Sequence, residues 1–133
     1  MSISVVIPFF NESESILKTL ACLDNQEHQP DEVIFVDSGS TDNTAAIINN
    51  HIDRLRKKNY QLVYCGEKSP SSSINKGIKE SSFELIAYVD CGLHIPPNWL
   101  KESLKIIENS IYGIVSLQIK THGVSLIDKS FVA

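Results

Sequence analysis

The chain has 133 residues, 42% of them hydrophobic and 21% charged, with a formal net charge of −4. These values are ordinary for one compact soluble domain. The lysines are spread along the chain rather than clustered, which argues against nucleic-acid binding through a basic surface. No apolar run approaches the roughly 18 residues that suggest a membrane-spanning helix.

Three cysteines, Cys22, Cys65 and Cys91, match no zinc-binding or redox spacing. We expect them to be reduced thiols in a cytoplasmic protein. The residues before Pro8 carry no basic segment typical of a secretory signal. Peripheral attachment to the inner face of the membrane is left open as an alternative.

Short β-branched runs alternate with amphipathic segments along the chain. Strands are predicted over residues 3–7, 32–36, 61–65, 83–89 and 114–119. The intervening segments predict four helices, two of them with the inward-facing sets Ile16, Leu17, Leu20, Leu23 and Ala45, Ile48, Ile52, Leu55. Ser13 and either Thr41 or Asp42 are expected to cap these two helices. The alternation predicts one α/β domain over residues 1–133, Rossmann-like, with a mainly parallel sheet and helices on both faces.

Polar residues follow three of the predicted strands. Residues 10–12 (FNE) follow the first strand, Asp37 and Ser38 the second, and Asp90 the fourth. Right-handed crossovers bring the carboxyl ends of parallel strands to one edge, where open α/β sheets bind ligands. One such Asp is explained equally well as the cap of a turn. Two at the same edge favour a ligand site that bonds to a base or ribose, or holds a divalent ion on a diphosphate.

Four segments in order resemble the signatures of family-2 glycosyltransferases. Residues 3–12 (ISVVIPFFNE) are similar to the family's opening strand, and residues 36–44 (VDSGSTDNT) to its Val-Asp-x-Gly-Ser-Thr-Asp signature. Residues 75–77 (NKG) resemble the Arg-Asn-x-Gly helix start. Residues 88–92 (YVDCG) and 97–100 (PNWL) resemble the strand that ends in Asp-x-Asp and the helix after it.

The resemblance implies a GT-A fold that binds a nucleotide-diphosphate sugar, usually a UDP-sugar. The implied activity is transfer of the sugar, with inversion, to an acceptor hydroxyl on a glycan or a lipid-linked molecule during polysaccharide or glycan biosynthesis. The residues that match the family's donor-site positions are Pro8, Phe9, Asn11, Glu12, Asp37, Ser38 and Asp90.

The resemblance also implies a role for each of these positions. Pro8, Phe9 and Asn11 would seat the base, and Glu12 would take part in the hydrogen bonding of the same loop. Asp37, with Ser38 beside it, would contact the base. Asp90 would lie near the ribose or the metal-bridged diphosphate, and amides of loops or helix starts would help to hold phosphate.

Two positions depart from the family pattern. Gly92 stands where the second acid of Asp-x-Asp is common, so Asp90 is left as the single carboxylate for Mn²⁺ or Mg²⁺ and metal binding is expected to be weakened. Ile74 stands where an arginine is common, which leaves Lys68 or Lys76 as the cation able to face phosphate.

Members of the family are longer than this chain. We therefore expect the acceptor-binding half to be missing, together with the carboxylate that acts as general base. Asp128, the only later Asp, lies in an ordinary turn context. The catalytic residue is thus not identified. A catalytically incomplete nucleotide-binding fragment, and an interaction subunit that pairs with itself or with a partner chain, are the alternatives to a self-sufficient enzyme.

Overall fold

The computed structural model describes residues 1–109, 118–120 and 123–125. The elements in chain order are β1 (Ile3–Phe9), α1 (Ile16–Asp24), β2 (Glu32–Asp37), α2 (Thr44–Leu55), β3 (Tyr60–Tyr64), α3 (Pro70–Glu80), β4 (Leu85–Tyr88), α4 (Trp99–Glu108), β5 (Gln118–Lys120) and β6 (Gly123–Ser125). The predicted alternation over β1 to α4 is confirmed. Of the predicted fifth strand, residues 114–117 lie outside the described residues, as does Asp128.

The chain divides into two compact units. The first, which we call the sheet unit, consists of Met1–Leu20 and Pro30–Leu93 and contains β1 to β4. The second consists of Ala21–Gln29 and the chain from His94 onward. Inside the second unit the buried Gln26 amide donates to the Pro96 carbonyl over 2.8 Å and accepts from the Leu100 N–H over 3.1 Å. Every predicted donor-site residue belongs to the sheet unit.

The sheet of this unit has the strand order β3-β2-β1-β4, and all its pairs are parallel. The chain builds outward from β1 through β2 to β3, and then places β4 on the other side of β1. Such a reversal of strand order is the point at which open α/β sheets open a crevice at their carboxyl ends. We call the edge where the strands end the carboxyl edge and the opposite one the amino edge.

Helices lie on both faces of the sheet, as predicted. On one face α3 packs against β1 and β2, and its Gly77 allows close approach to the buried side chains of Val6 and Val36. On the other face His51 of α2 stacks on Tyr60, with ring centroids 6.4 Å apart, and Tyr60 packs against Phe35 at 6.0 Å. The two helices therefore cover opposite sides of the same buried strands.

The predicted inner faces of α1 and α2 are wrong at one position each. Leu17 is 63% exposed, because the buried side of α1 turns toward Thr19, whose hydroxyl accepts from the Gly92 N–H over 2.9 Å. Leu55 is 42% exposed because α2 ends there, with Arg56 in the left-handed conformation. His51, which was not among the predicted inward-facing residues, lies on the inner face of α2 instead. Among the described residues, no helix is long and apolar enough to cross a bilayer.

The predicted caps of these helices also differ from the structure. Helix α1 begins at Ile16, and the Glu12 carbonyl, rather than the Ser13 side chain, accepts from the Ile16 N–H over 2.8 Å. Helix α2 has Asn43, rather than the predicted Thr41 or Asp42, at its N-cap position, and it has no side-chain cap. The Asp42 carboxylate accepts from the Thr44 N–H over 3.0 Å from one residue further out.

A hydrogen-bonded carboxylate lies at the amino edge, away from the predicted site. Glu32 accepts from the Ser4 hydroxyl over 2.6 Å and from both the N–H and the hydroxyl of Ser82 over 2.9 Å. Partial burial alone would raise the pKa of Glu32, but these hydrogen bonds outweigh it and hold the pKa below the ordinary value of 4.5. The stabilisation from this carboxylate is therefore present above pH 4.5 and is lost as the pH falls through the lowered pKa.

Replacing Glu32 by glutamine should remove this acid-dependent stabilisation. At neutral pH, Glu32→Gln should lower the free energy of unfolding, and the gap from the unchanged protein should narrow as the pH falls below 4.5. Urea denaturation at several pH values measures the gap. Glu84→Gln, at an exposed position, is the matched control. A gap that stays constant down to pH 3 would show that the Glu32 carboxylate contributes nothing through its charge.

Candidate nucleotide site

Two adjacent phenylalanines at the end of β1 have opposite surroundings. Phe9 is 4% exposed and belongs to the core, whereas Phe10 is 43% exposed just beyond the strand. The Lys68 ammonium lies 5.4 Å from the centre of the Phe10 ring. Of the two rings, Phe10 is therefore the one accessible at the carboxyl edge, and the sequence prediction left it out. The signal was its position, one residue past a strand that is buried on both faces.

Asp37 ends β2 and is almost buried, with 9% of its surface exposed. Its Oδ1 accepts from the N–H groups of Gly39 (3.0 Å) and Ser40 (2.7 Å), which closes the turn after the strand. Gly39 takes a φ of +97°, a conformation that favours glycine. Among the described residues, Oδ2 has no hydrogen-bond partner. Asp37 therefore caps its turn with Oδ1, and Oδ2 is engaged by none of the described residues.

Asn11 joins the loop after β1 to the loop after β2. Its Oδ1 accepts from the N–H groups of Thr41 (2.7 Å) and Asp42 (3.2 Å), and its own N–H donates to the Ser40 hydroxyl (2.9 Å). The next residue, Glu12, donates its N–H to the Thr44 hydroxyl over 2.9 Å. The predicted site residues on β1 and β2 are thus brought together by direct bonds between their loops.

These bonds use up the amides that were expected to help hold phosphate. The N–H groups of residues 39–42 are shared by two acceptors, Asp37 and Asn11, and the Thr44 N–H at the start of α2 is taken by Asp42. None of these five amides is available to a diphosphate. The expectation that amides of this loop help to hold phosphate is therefore not met by these five N–H groups.

Gly92 lies close to the side chain of Glu12. The Ser15 hydroxyl donates to the Glu12 carboxylate, and a Cβ built on Gly92 would lie 3.2 Å from Ser15 Oγ and 3.6 Å from Glu12 Oε2. Gly92 also has a φ of +91°, which side-chain-bearing residues rarely adopt. An aspartate could not occupy this position without strain, so the departure from Asp-x-Asp is built into the local backbone.

Asp90 lies exposed at the end of β4, next to Val89, and accepts a hydrogen bond from the Tyr88 hydroxyl. Burial, and then this hydrogen bond and the Asp90 charge, raise the pKa of Tyr88 to about 12. No group of three His, Cys, Asp or Glu side chains able to hold a metal ion occurs in the part of the chain that the structure describes. Within the described part of the chain, Asp90 thus does not belong to a preformed cluster of metal-binding side chains.

Of the two lysines expected to be able to face phosphate, Lys68 and Lys76, only Lys76 forms an ion pair with a described residue. Lys76 lies 2.8 Å from Glu80 along α3, and this ion pair raises the pKa of Lys76. Lys68 forms no ion pair with a described residue and lies beside Phe10. Ser38 hydrogen-bonds through its hydroxyl to Ser73 at the buried side of α3. Lys68 therefore lies beside the accessible ring without an ion pair to any residue that the structure describes.

Comparison with known proteins identifies the family. The model of glycosyl transferase family 2 matches residues 4–130. The chain belongs to that family, and its parallel sheet is that of a GT-A fold. This confirms the resemblance that the four sequence signatures indicated.

Individual relatives agree with the family match. The chain is 30% identical to chondroitin synthase of Escherichia coli over 111 residues, covering 79% of this chain and 15% of that protein. It is 31% identical over 118 residues to undecaprenyl-phosphate 4-deoxy-4-formamido-L-arabinose transferase of Serratia proteamaculans, covering 85% of this chain and 35% of that protein. The chain therefore spans only a part of the length of these curated relatives.

A solved structure with bound donor is also similar. Residues 1–349 of S. aureus TarS in complex with UDP-GlcNAc superpose with a TM-score of 0.73 and 26% sequence identity, covering 94% of this chain and 37% of that one. The superposition therefore extends over almost the whole of this chain and over about a third of that one.

Proposed function

We propose that this chain binds the donor of a glycosyltransferase that moves a sugar from UDP to an acceptor hydroxyl. The observation that carries the proposal is the second oxygen of Asp37: the residue is nearly buried, yet this oxygen has no partner among the described residues and is open to a ligand. Uracil presents an N–H at ring position 3, which a carboxylate can accept, whereas cytosine presents a bare acceptor there. The TarS complex with UDP-GlcNAc supports a uridine donor.

The neighbouring residues supply the other contacts that a nucleotide needs. The exposed ring of Phe10 offers a face on which a base can stack. Asp90 offers acceptors to the ribose hydroxyls. If Mn²⁺ or Mg²⁺ takes part, Asp90 would be its protein ligand, and diphosphate oxygens would supply most of its coordination, because the described residues hold no further carboxylate cluster. The ion would neutralise charge on the departing diphosphate.

The acceptor and the cell location remain proposals. One relative is named a chondroitin synthase and another an undecaprenyl-phosphate sugar transferase, which supports a glycan or a lipid-linked acceptor. A cytoplasmic location, and self-association or pairing with a partner chain, stay predictions from the sequence. Sedimentation at high protein concentration tests the prediction of self-association, and a single monomeric species would contradict it.

Calorimetric titration with UDP and CDP, with and without Mn²⁺, tests the donor site. We expect UDP to bind more tightly than CDP, because only uracil complements a carboxylate acceptor at this position. An increase in UDP affinity with Mn²⁺ would show that one protein carboxylate suffices for the ion. If the folded protein binds neither nucleotide, the proposed donor site is wrong.

Replacing Phe10 by alanine should weaken UDP binding by about tenfold, because stacking of a base on an aromatic ring contributes about 1–3 kcal/mol. The thermal midpoint should change little, since the ring is 43% exposed. Leu55→Ala is the matched control, because Leu55 is a large apolar residue that is 42% exposed at the end of α2. Equal UDP affinity in Phe10→Ala and the unchanged protein would exclude Phe10 from the base site.

A further inference from the structure

Asn11 has the conformation and the bonds of a connector rather than of a ligand-binding residue. Its φ of +52° lies in the left-handed region, which asparagine tolerates better than most residues. Its carboxamide oxygen accepts from two N–H groups, Thr41 and Asp42, and its Nδ2 lies 3.3 Å from Thr41 Oγ1. Both ends of the carboxamide are therefore directed at the loop after β2.

The backbone N–H of Asn11 adds a further bond to the same loop, and this bond links the two groups that the proposed function assigns to the base. Phe10 immediately precedes Asn11, whose N–H donates to the Ser40 hydroxyl over 2.9 Å. Ser40 in turn donates its N–H to Asp37 over 2.7 Å. A short path of bonds thus runs from the backbone beside the Phe10 ring to the Asp37 carboxylate.

We propose that Asn11 is a positioning residue, which fixes the Phe10 ring relative to the Asp37 carboxylate so that stacking and base recognition occur together. The proposal rests on the proposed nucleotide site, and it replaces the direct contact with the base that the sequence predicted for Asn11. The bonds of Asn11 and Ser13 to the loop after β2 are exposed to solvent, whereas the Glu12 N–H donates to the buried Thr44 hydroxyl at the start of α2.

The residue type suits this role for two separable reasons. Glycine can adopt the left-handed conformation but has no carboxamide. Aspartate tolerates that conformation and keeps an oxygen to accept from Thr41 and Asp42, while it loses the Nδ2 donor. A glycine and an aspartate variant therefore separate the backbone conformation from the hydrogen bonds.

The experiment compares the unchanged protein with Asn11→Gly and Asn11→Asp, and uses Asn49→Ala, at an exposed position on α2, as the control. Amide hydrogen exchange is measured in the free proteins, and the dissociation constants of UDP and CDP are measured by calorimetry. The ratio of the two constants reports how well the base is recognised. A lower fraction of folded protein would weaken both nucleotides equally and leave this ratio unchanged.

In Asn11→Gly we expect exchange of the Thr41 and Asp42 amides to accelerate by about tenfold, while that of Ile48 in α2 is unchanged, because the loss of one hydrogen bond shifts a local opening by about this factor. The preference for UDP over CDP should fall by about tenfold. Asn11→Asp should recover most of both properties, and Asn49→Ala should match the unchanged protein.

Unchanged exchange rates of the Thr41 and Asp42 amides in Asn11→Gly would show that the Asn11 carboxamide does not hold the two loops together. Accelerated exchange with an unchanged UDP-to-CDP ratio would overturn the positioning role and leave a purely structural one. If the unchanged protein binds neither nucleotide, the proposed function fails and the positioning role fails with it. The exchange data would then still decide whether Asn11 holds the loops together.

Discussion

Replacing Gly77 by alanine should destabilise the sheet unit by about 2 kcal/mol. The added Cβ would lie 2.3 Å from Val6 Cγ1 and 3.2 Å from Val36 Cγ2, both on fully buried side chains of adjacent strands. Overpacking of this kind costs up to about 3 kcal/mol. The higher helix propensity of alanine returns about 1 kcal/mol. Helix propensity alone predicts that Gly77→Ala stabilises the protein. The sign of the change in the free energy of unfolding therefore shows whether overpacking outweighs propensity.

Denaturation with urea measures this change, and Gly66→Ala is the matched control. A Cβ at Gly66 would meet only Tyr64 Cε1, at an ordinary 3.9 Å. The control should therefore remain within about 0.5 kcal/mol of the unchanged protein. If Gly77→Ala is as stable as the control, α3 does not pack as closely on β1 as the structure shows.

Replacing Asp37 by asparagine should change which base the protein prefers. The asparagine oxygen can still accept from Gly39 and Ser40, which keeps the turn closed. The second oxygen becomes an NH₂ group, which cannot accept the uracil N–H but can donate to the bare ring nitrogen of cytosine. A hydrogen bond to a charged group is worth about 1.5–3 kcal/mol. UDP affinity should therefore fall by about ten- to a hundredfold, while CDP affinity rises.

Titration of Asp37→Asn with both nucleotides tests this reversal. Asp53→Asn, which neutralises an exposed aspartate on α2, controls for the change in net charge. Equal losses of UDP and CDP affinity in Asp37→Asn would mean that the carboxylate acts only on the turn. Unchanged UDP affinity would place the base elsewhere.

The sequence predicted the sheet well because each strand is a short apolar run bounded by turn residues. Asp37 marked the end of β2 correctly, whereas β1 continues past its predicted end at residue 7, through Pro8 to Phe9. Right-handed crossovers between parallel strands bring these ends to the carboxyl edge. The same periodicity could not separate Phe9 from Phe10. Whether β1 ends one residue earlier or later decides which of the two phenylalanine rings enters the core. Strand ends are the least certain part of a prediction from sequence.

Other features depend on contacts between residues far apart in the chain. Thr19 is buried, and Leu17 exposed, because the loop near Gly92 supplies the partner of the Thr19 hydroxyl. The role of Asn11 depends on amides about 30 positions later. Neither pairing leaves a periodic signal, so the sequence marked Asn11 as a site residue without showing that its carboxamide is already bonded.

The most direct test of the nucleotide site is a UDP titration of the unchanged protein, followed through its backbone amide resonances. We predict that the largest shifts fall at the carboxyl edge, at Phe10, Gly39 and Asp90 and their neighbours. The amides around Glu32 and Ser82 at the amino edge should remain at their starting positions. Shifts confined to the amino edge, or no shifts at millimolar UDP, would contradict a donor site at the ends of β1, β2 and β4.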